Sequence, residues 1–109
     1  MNNGVWALQA QEGRFAQVSG LTMAGEQSAV AGNRVRDVKI GGEPIDTVRI
    51  YTVAVPDFLL KEGDGYTMFK GQPVKVGPEA GDMISDALGK YVTAHGEIAP
   101  AVEGRIILR

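Results

Sequence analysis

The residues best suited to chemistry lie in one short stretch, Pro56-Asp57-Phe58 followed by Glu62-Gly63-Asp64-Gly65-Tyr66. A carboxylate between two glycines sits where the backbone can turn sharply and a ligand can approach closely. Phe58 precedes Asp64 by six residues, a separation that a single helical turn would close. A flat ring for stacking beside an acceptor for sugar hydroxyls makes a reasonable site for a nucleoside. The same residues also fit a plain Gly-Asp-Gly turn with Phe58 filling the core. A second stretch, Glu12-Gly13-Arg14-Phe15-Ala16-Gln17-Val18-Ser19-Gly20, sets the ring of Phe15 beside the cation of Arg14. Such pairs also arise in strands with no ligand.

Other chemistries are excluded by what the chain lacks. It has no cysteine, so disulfides, thiolate zinc sites and cysteine nucleophiles are ruled out. His95 is the single histidine, whereas a two-metal hydrolytic centre needs several His and Asp ligands. It reads as a surface or cap residue near a helix end. Neither a catalytic residue nor a metal ligand is assigned, and no cofactor is expected in this chain. The net charge is −2, with Lys and Arg scattered, so a nucleic-acid polymer is not an expected partner. The apolar runs are too short to span a membrane. Met1-Asn2-Asn3-Gly4 lacks the basic and apolar regions of a signal peptide.

The elements that must position these residues follow from pattern. With 109 residues, 44% hydrophobic and 22% charged, the chain suits one globular domain. Asn2 to Ala10 reads as a short helix ended by Gly13. Phe15 to Val18 and Leu21 to Met23 read as two extended pieces joined at Ser19-Gly20, and Gly25 to Gly32 as a loop. Arg34 to Ile40 has the alternation of a half-exposed strand, followed by the turn Gly41-Gly42-Glu43-Pro44. Val48 to Val55 is the most strand-like segment by composition, and Pro56 stops it. Asp57 to Leu60 predicts one helical turn, and Val74 to Val76 a short strand. Asp82 to His95 predicts the main helix. Its stripe is Met83, Ile84, Ala87, Leu88, Tyr91 and Val92, with Asp82 as cap and Gly96 at the end. Gly89 inside that helix suggests a closely packed neighbour. Arg105 to Leu108 reads as the last strand. The expected fold is α+β, a mixed and largely antiparallel sheet with packed helices.

Gly13 to Leu21, Gly32 to Val35, Ile45 to Ala54, Asp57 to Tyr66 and Pro100 to Ile106 form blocks that, in this order, resemble the C-terminal, substrate-binding domain of the 5′-nucleotidase and 2′,3′-cyclic phosphodiesterase family. Gly13-Arg14-Phe15-Ala16-Gln17-Val18-Ser19-Gly20-Leu21 is similar to that family's Gly-x-Phe-x-Gln-Val-Ser-Gly-Leu stretch. Gly32-Asn33-Arg34-Val35, Ile45-Asp46 through Ala54, Asp57-Phe58-Leu59 with Gly63-Asp64-Gly65-Tyr66, and the tail Pro100 to Ile106 resemble later blocks. Together they cover nearly the whole chain. The resemblance implies that Phe15 and Phe58 clamp a nucleobase and that Asp64 binds the ribose hydroxyls, with Asp57 and Tyr66 supporting the loop. It implies a domain over 1–109 truncated on its N-terminal side, inactive alone. The partners would be a nucleotide or nucleoside and a catalytic metallophosphoesterase domain holding divalent metal ions. Such families are usually periplasmic, cell-surface or secreted. Two blocks depart from the pattern. Glu62-Gly63 stands where the family has two glycines, and Thr22 to Ser28 replaces a Tyr-x-Asp segment. The alternative expectation is a non-catalytic binding or assembly protein, including a homo-oligomer with exchanged elements.

Overall fold

A computed structural model describes residues 15–109. The helix expected over Asn2 to Ala10, with Gly13 and Arg14, lies outside the described residues. The rest divides into two compact units. One comprises the described residues up to Thr52 together with Val102–Arg109, and the other is Val53–Ala101.

The first unit is built on a four-stranded sheet of order β3-β2-β1-β4. Its strands are β1 (Leu21–Gly25), β2 (Val35–Ile40), β3 (Glu43–Pro44) and β4 (Ile106–Leu108). β1 pairs antiparallel with β2, and β2 antiparallel with β3, while β1 and β4 run parallel. The sheet is thus mixed and largely antiparallel, as its sequence implies. Between β2 and β3, Gly41 and Gly42 both have positive φ (62° and 85°), the backbone that a two-residue hairpin loop demands and glycine adopts without a Cβ clash. The β1–β2 register slips between Thr22 and Ala24. Asp37, opposite that slip, takes φ 52°, as a residue displaced by a bulge can. Its carboxylate pairs with the Arg109 guanidinium just after β4.

β1 lies between two partners, so its backbone is bonded on both sides. Arg105 O accepts from Met23 N at 2.9 Å, and Gly25 O from Arg109 N at 2.8 Å. Met23 and Ala24, each 3% exposed, form the core of this unit among the described residues. The loop from Glu26 to Arg34 agrees with the small, polar composition there, and Ala29 O accepts from Arg34 Nε at 2.8 Å.

Two expected strands do not form. Val48 to Val55 has the right side chains and no ladder. Asp46 Oδ1 accepts from Val48 N at 3.0 Å, and Asp46 O accepts from Arg49 N at 3.2 Å. The chain therefore curls at the start of the segment. Tyr51 Oη accepts from Asp46 N at 3.0 Å and helps close the curl. An Asx-type turn of this kind competes with strand pairing, and β propensity without a partner decides little. Ile50 stands 94% exposed. Val74 to Val76 is likewise irregular and open, and Phe15 to Val18 takes no place in the sheet.

Among the described residues, two α-helices lie in the second unit, α1 (Asp57–Leu60) and α2 (Ile84–His95). α2 matches the expected helix and stops at Gly96, whose φ is 72°. Its cap differs from expectation. Met83 occupies the N-cap, and no side chain bonds the first turn. Asp82 instead pairs with Lys90 at 2.9 Å, an exposed ion pair along the helix. The apolar stripe is present in sequence, yet Met83, Ile84, Leu88 and Tyr91 are all exposed. A Cβ added at Gly89 would meet nothing within 4 Å, so the close neighbour expected there is not among the described residues. The α+β class holds, with a mixed four-stranded sheet and two α-helices among the described residues.

Candidate functional site

The stretch singled out by its chemistry folds as a chain of tight local turns in the second unit. Pro56 starts α1, because its fixed φ suits a helix entrance and its missing N–H is not needed there. Pro56 O accepts from Leu59 N at 3.0 Å, and Asp57 O from Lys61 N at 3.0 Å. Asp57 Oδ1 accepts from Phe58 N at 2.9 Å, so Asp57 is engaged in fixing the helical turn that presents Phe58. Leu59 O accepts from Glu62 N at 3.1 Å and closes the exit.

From there the chain enters a 3-10 turn over Gly63–Gly65. Glu62 (φ 67°) and Asp64 (φ 54°) both occupy left-handed backbone. Asp tolerates this region better than most residues, whereas Glu is held in it at some cost. Glu62 stands at the position where the resembled motif carries a first glycine, and left-handed backbone is a physical reason for glycine there. Tyr66 N donates to Gly63 O at 3.1 Å, ending the turn.

Tyr66 anchors the loop from below. It is 6% exposed and stacks on Phe69, ring centroids 6.4 Å apart and planes 8° from parallel. Burial, and then the negative charge of Asp64, push its phenol above the ordinary tyrosine range. Asp64 is itself on the exposed side of the turn.

Phe58 does not fill a core. Its side chain is 57% exposed, which sets aside the reading of a plain core plug. The turn thus brings together an open aromatic ring and a carboxylate in one compact loop. Phe15 is half-buried and belongs to the first unit. His95 is engaged as a helix-end residue: its Nδ1 donates to Tyr91 O at 2.8 Å, and its ring stacks on Tyr91 at 4.0 Å. Among the described residues, no group of three or more His, Cys, Asp or Glu is gathered to hold a metal ion. No helix among them is long and apolar enough to cross a membrane. The sequence pattern singled out Phe58 and Asp64. It did not reveal the demand on Gly63, whose signal was only a glycine beside an aspartate.

An open ring and a carboxylate on a Gly-Asp-Gly turn are thus carried together on an α+β scaffold. The chain belongs to the family of the 5′-nucleotidase C-terminal domain, whose family model matches residues 1–71. It is 31% identical over 102 residues to a 5′-nucleotidase of Bos taurus, covering 86% of this chain and 17% of that protein. It is 34% identical over 102 residues to Protein 5NUC of Lutzomyia longipalpis, covering 86% of this chain and 18% of that one. Its fold is similar to a crystal structure of a 5′-nucleotidase precursor from Thermus thermophilus. That match has a TM-score of 0.86 and 33% identity, and covers 98% of this chain and 22% of the other. The chain spans about a fifth of the length of the relatives it matches.

Proposed function

We propose that residues 1–109 act as one nucleotide- or nucleoside-recognition module of a metal-dependent nucleotide phosphohydrolase of the 5′-nucleotidase type. The module binds base and ribose. A separate metallophosphoesterase domain with divalent metal ions hydrolyses the phosphate ester, and this chain alone is inactive. Phe58 supplies one face of a base stack, Asp64 accepts from the ribose hydroxyls, and Phe15 supplies the second ring. The single observation that carries this reading is the exposed Phe58 ring beside the turn that holds Asp64 in left-handed backbone. An open aromatic ring and a carboxylate on one tight turn offer a stacking face and a hydroxyl acceptor together, the two groups a nucleoside needs. Such a module contributes by orienting a bound phosphate toward the catalytic domain.

The reading is tested by titrating this chain with adenosine and AMP while following Phe15, Phe58 and Asp64 by NMR. Localised shifts at those residues support it. Phe58→Ala is expected to weaken adenosine binding by about 1–3 kcal/mol, the worth of one stacked base. Asp64→Ala is expected to weaken adenosine more than free adenine. Unchanged adenosine affinity in either variant refutes the assigned role.

A second reading is a non-catalytic assembly protein, in which elements are exchanged between copies. The open apolar side chains Ile84, Leu88 and Tyr91 of α2 favour it. Light scattering separates the two, since that reading requires a stable oligomer and no adenosine binding.

A further inference from the structure

Within the recognition loop, Gly63 stands at the point of closest approach to Phe58. An ideal Cβ on Gly63 would lie 2.5 Å from the Phe58 carbonyl oxygen and 2.6 Å from Cδ1 and Cε1 of its ring. Atoms that close overlap, and the nearest of them is backbone, which has no free rotor by which to swing aside. The geometry on either side is equally fixed. Glu62 N donates to Leu59 O at 3.1 Å, and Tyr66 N donates to Gly63 O at 3.1 Å. Both flanking residues, Glu62 and Asp64, are already held at positive φ. No slack remains to absorb a methyl group.

We propose that Gly63 is a positioning residue for nucleoside recognition: its missing side chain lets the Phe58 ring lie against the turn and so sets the spacing between that ring and the Asp64 carboxylate. This rests on the recognition role given above to Phe58 and Asp64. A base and a ribose are joined by one short covalent bond, so a stacking ring and a hydroxyl acceptor serve the same ligand only over a narrow range of separations. Gly63 fixes that separation from inside the loop and touches no part of the ligand itself.

The test uses this chain, its Gly63→Ala variant and Gly89→Ala as a matched glycine-to-alanine control, since Gly89 has open space around it. In the ligand-free chain, the Gly63 α-protons are expected to show upfield ring-current shifts and cross-relaxation to the Phe58 ring. Both are lost in Gly63→Ala while the β1–β2 resonances stay in place. On titration, Gly63→Ala is expected to lose adenosine affinity by about fivefold to a hundredfold, the span of one lost base stack. Adenine and ribose 5-phosphate, each needing one half of the site, lose less, so the ratio of adenosine to adenine affinity falls. A merely structural role would lower all three together. Gly89→Ala leaves all three unchanged.

Adenosine binding that survives Gly63→Ala overturns the positioning role while leaving the recognition reading intact. Failure of the unsubstituted chain to bind adenosine overturns the recognition reading and this proposal with it. Should the alanine unfold the second unit, the unsubstituted chain still decides. Adenosine that moves Phe58, Gly63 and Asp64 with one saturation curve supports the role, and adenosine that moves Phe58 alone overturns it.

Discussion

The two units hold their shape by different means. In the first, β1 is hydrogen-bonded to β2 on one side and to β4 on the other, and β4 lies at the far end of the chain. Met23 and Ala24 are sealed between these partners. In the second, order comes from bonds a few residues long: Pro56 to Leu59, Leu59 to Glu62, Gly63 to Tyr66. Tyr66 is its one buried large side chain among the described residues, and the stripe of α2 is open. A ladder closed between distant residues costs loop entropy and is repaid by burial. A run of turns costs little and buries little. Stability is therefore expected to concentrate in the sheet, and the loop around Asp64 to keep its form through local sequence.

The sharpest way to break that contrast is to empty the sheet's core. Met23→Ala removes a side chain that is 3% exposed, and is expected to destabilise the chain by about 2–5 kcal/mol. Urea denaturation followed at a backbone signal of β1 checks it. A loss under about 1 kcal/mol, the scale of ordinary surface changes, would mean that the sheet is not where stability resides.

Tyr66 sharpens the contrast from the other side, because it is the buried anchor of the second unit. Its phenol is held above the ordinary value of 10.0 by burial and then by Asp64. A raised tyrosine pKa means that the folded state favours the neutral form. The associated stability is fully present below the unfolded value and is lost as pH rises from about 10 through the folded value. Alkaline titration watched at Tyr66 and Phe69 is expected to loosen the loop before the sheet. Tyr66→Phe removes that pH dependence. Loosening that persists unchanged in the phenylalanine variant would assign it to another group.

How much of this was legible in the sequence follows the same division. Local features were readable because their causes are local. Pro56 before a single turn, the Gly41-Gly42 hairpin, the periodicity of α2 and the stop at Gly96 all formed as their residues dictate. Phe58 and Asp64 stood out for the same reason. Features that depend on a partner were readable only in part: β1, β2 and β4 formed where their residues predict strands, whereas other segments of strand composition did not. Val48 to Val55 has strand composition, but Asp46 captures the amide of Val48 and no strand among the described residues pairs with the segment. Asp82 has the chemistry of a cap and is taken by Lys90 instead. The left-handed backbone of Glu62 and the contact of Gly63 with Phe58 became visible only with coordinates. Sequence named the candidate groups, Phe58 and Asp64, and left out the close approach of Gly63 to Phe58.

Smaller effects should appear in α2, where little is buried to be lost. Gly89→Ala is expected to stabilise the helix by about 0.8–1 kcal/mol, from the lower backbone entropy of alanine and an open site for its methyl. The check is helical signal at 222 nm during thermal unfolding. A destabilising alanine would mean that a close neighbour does press on Gly89, and that the second unit is packed on that face after all.

The smallest effect is the most discriminating. Leu88 lies on the apolar stripe, where a buried leucine would contribute about 1.5–3 kcal/mol. It is 57% exposed, so most of that transfer energy is not realised in this chain. Leu88→Ser removes the apolar surface without touching Asp82–Lys90 or the stacked Tyr91–His95 pair. Helix propensity falls only slightly, because leucine and serine differ by a few tenths of a kcal/mol. The expected change in unfolding free energy is within about 0.5 kcal/mol, the range of surface substitutions. A loss above about 1.5 kcal/mol, measured at low concentration by denaturant titration, would show the stripe to be covered in solution. The same loss growing with protein concentration would assign the cover to a second copy, because only association makes stability depend on concentration.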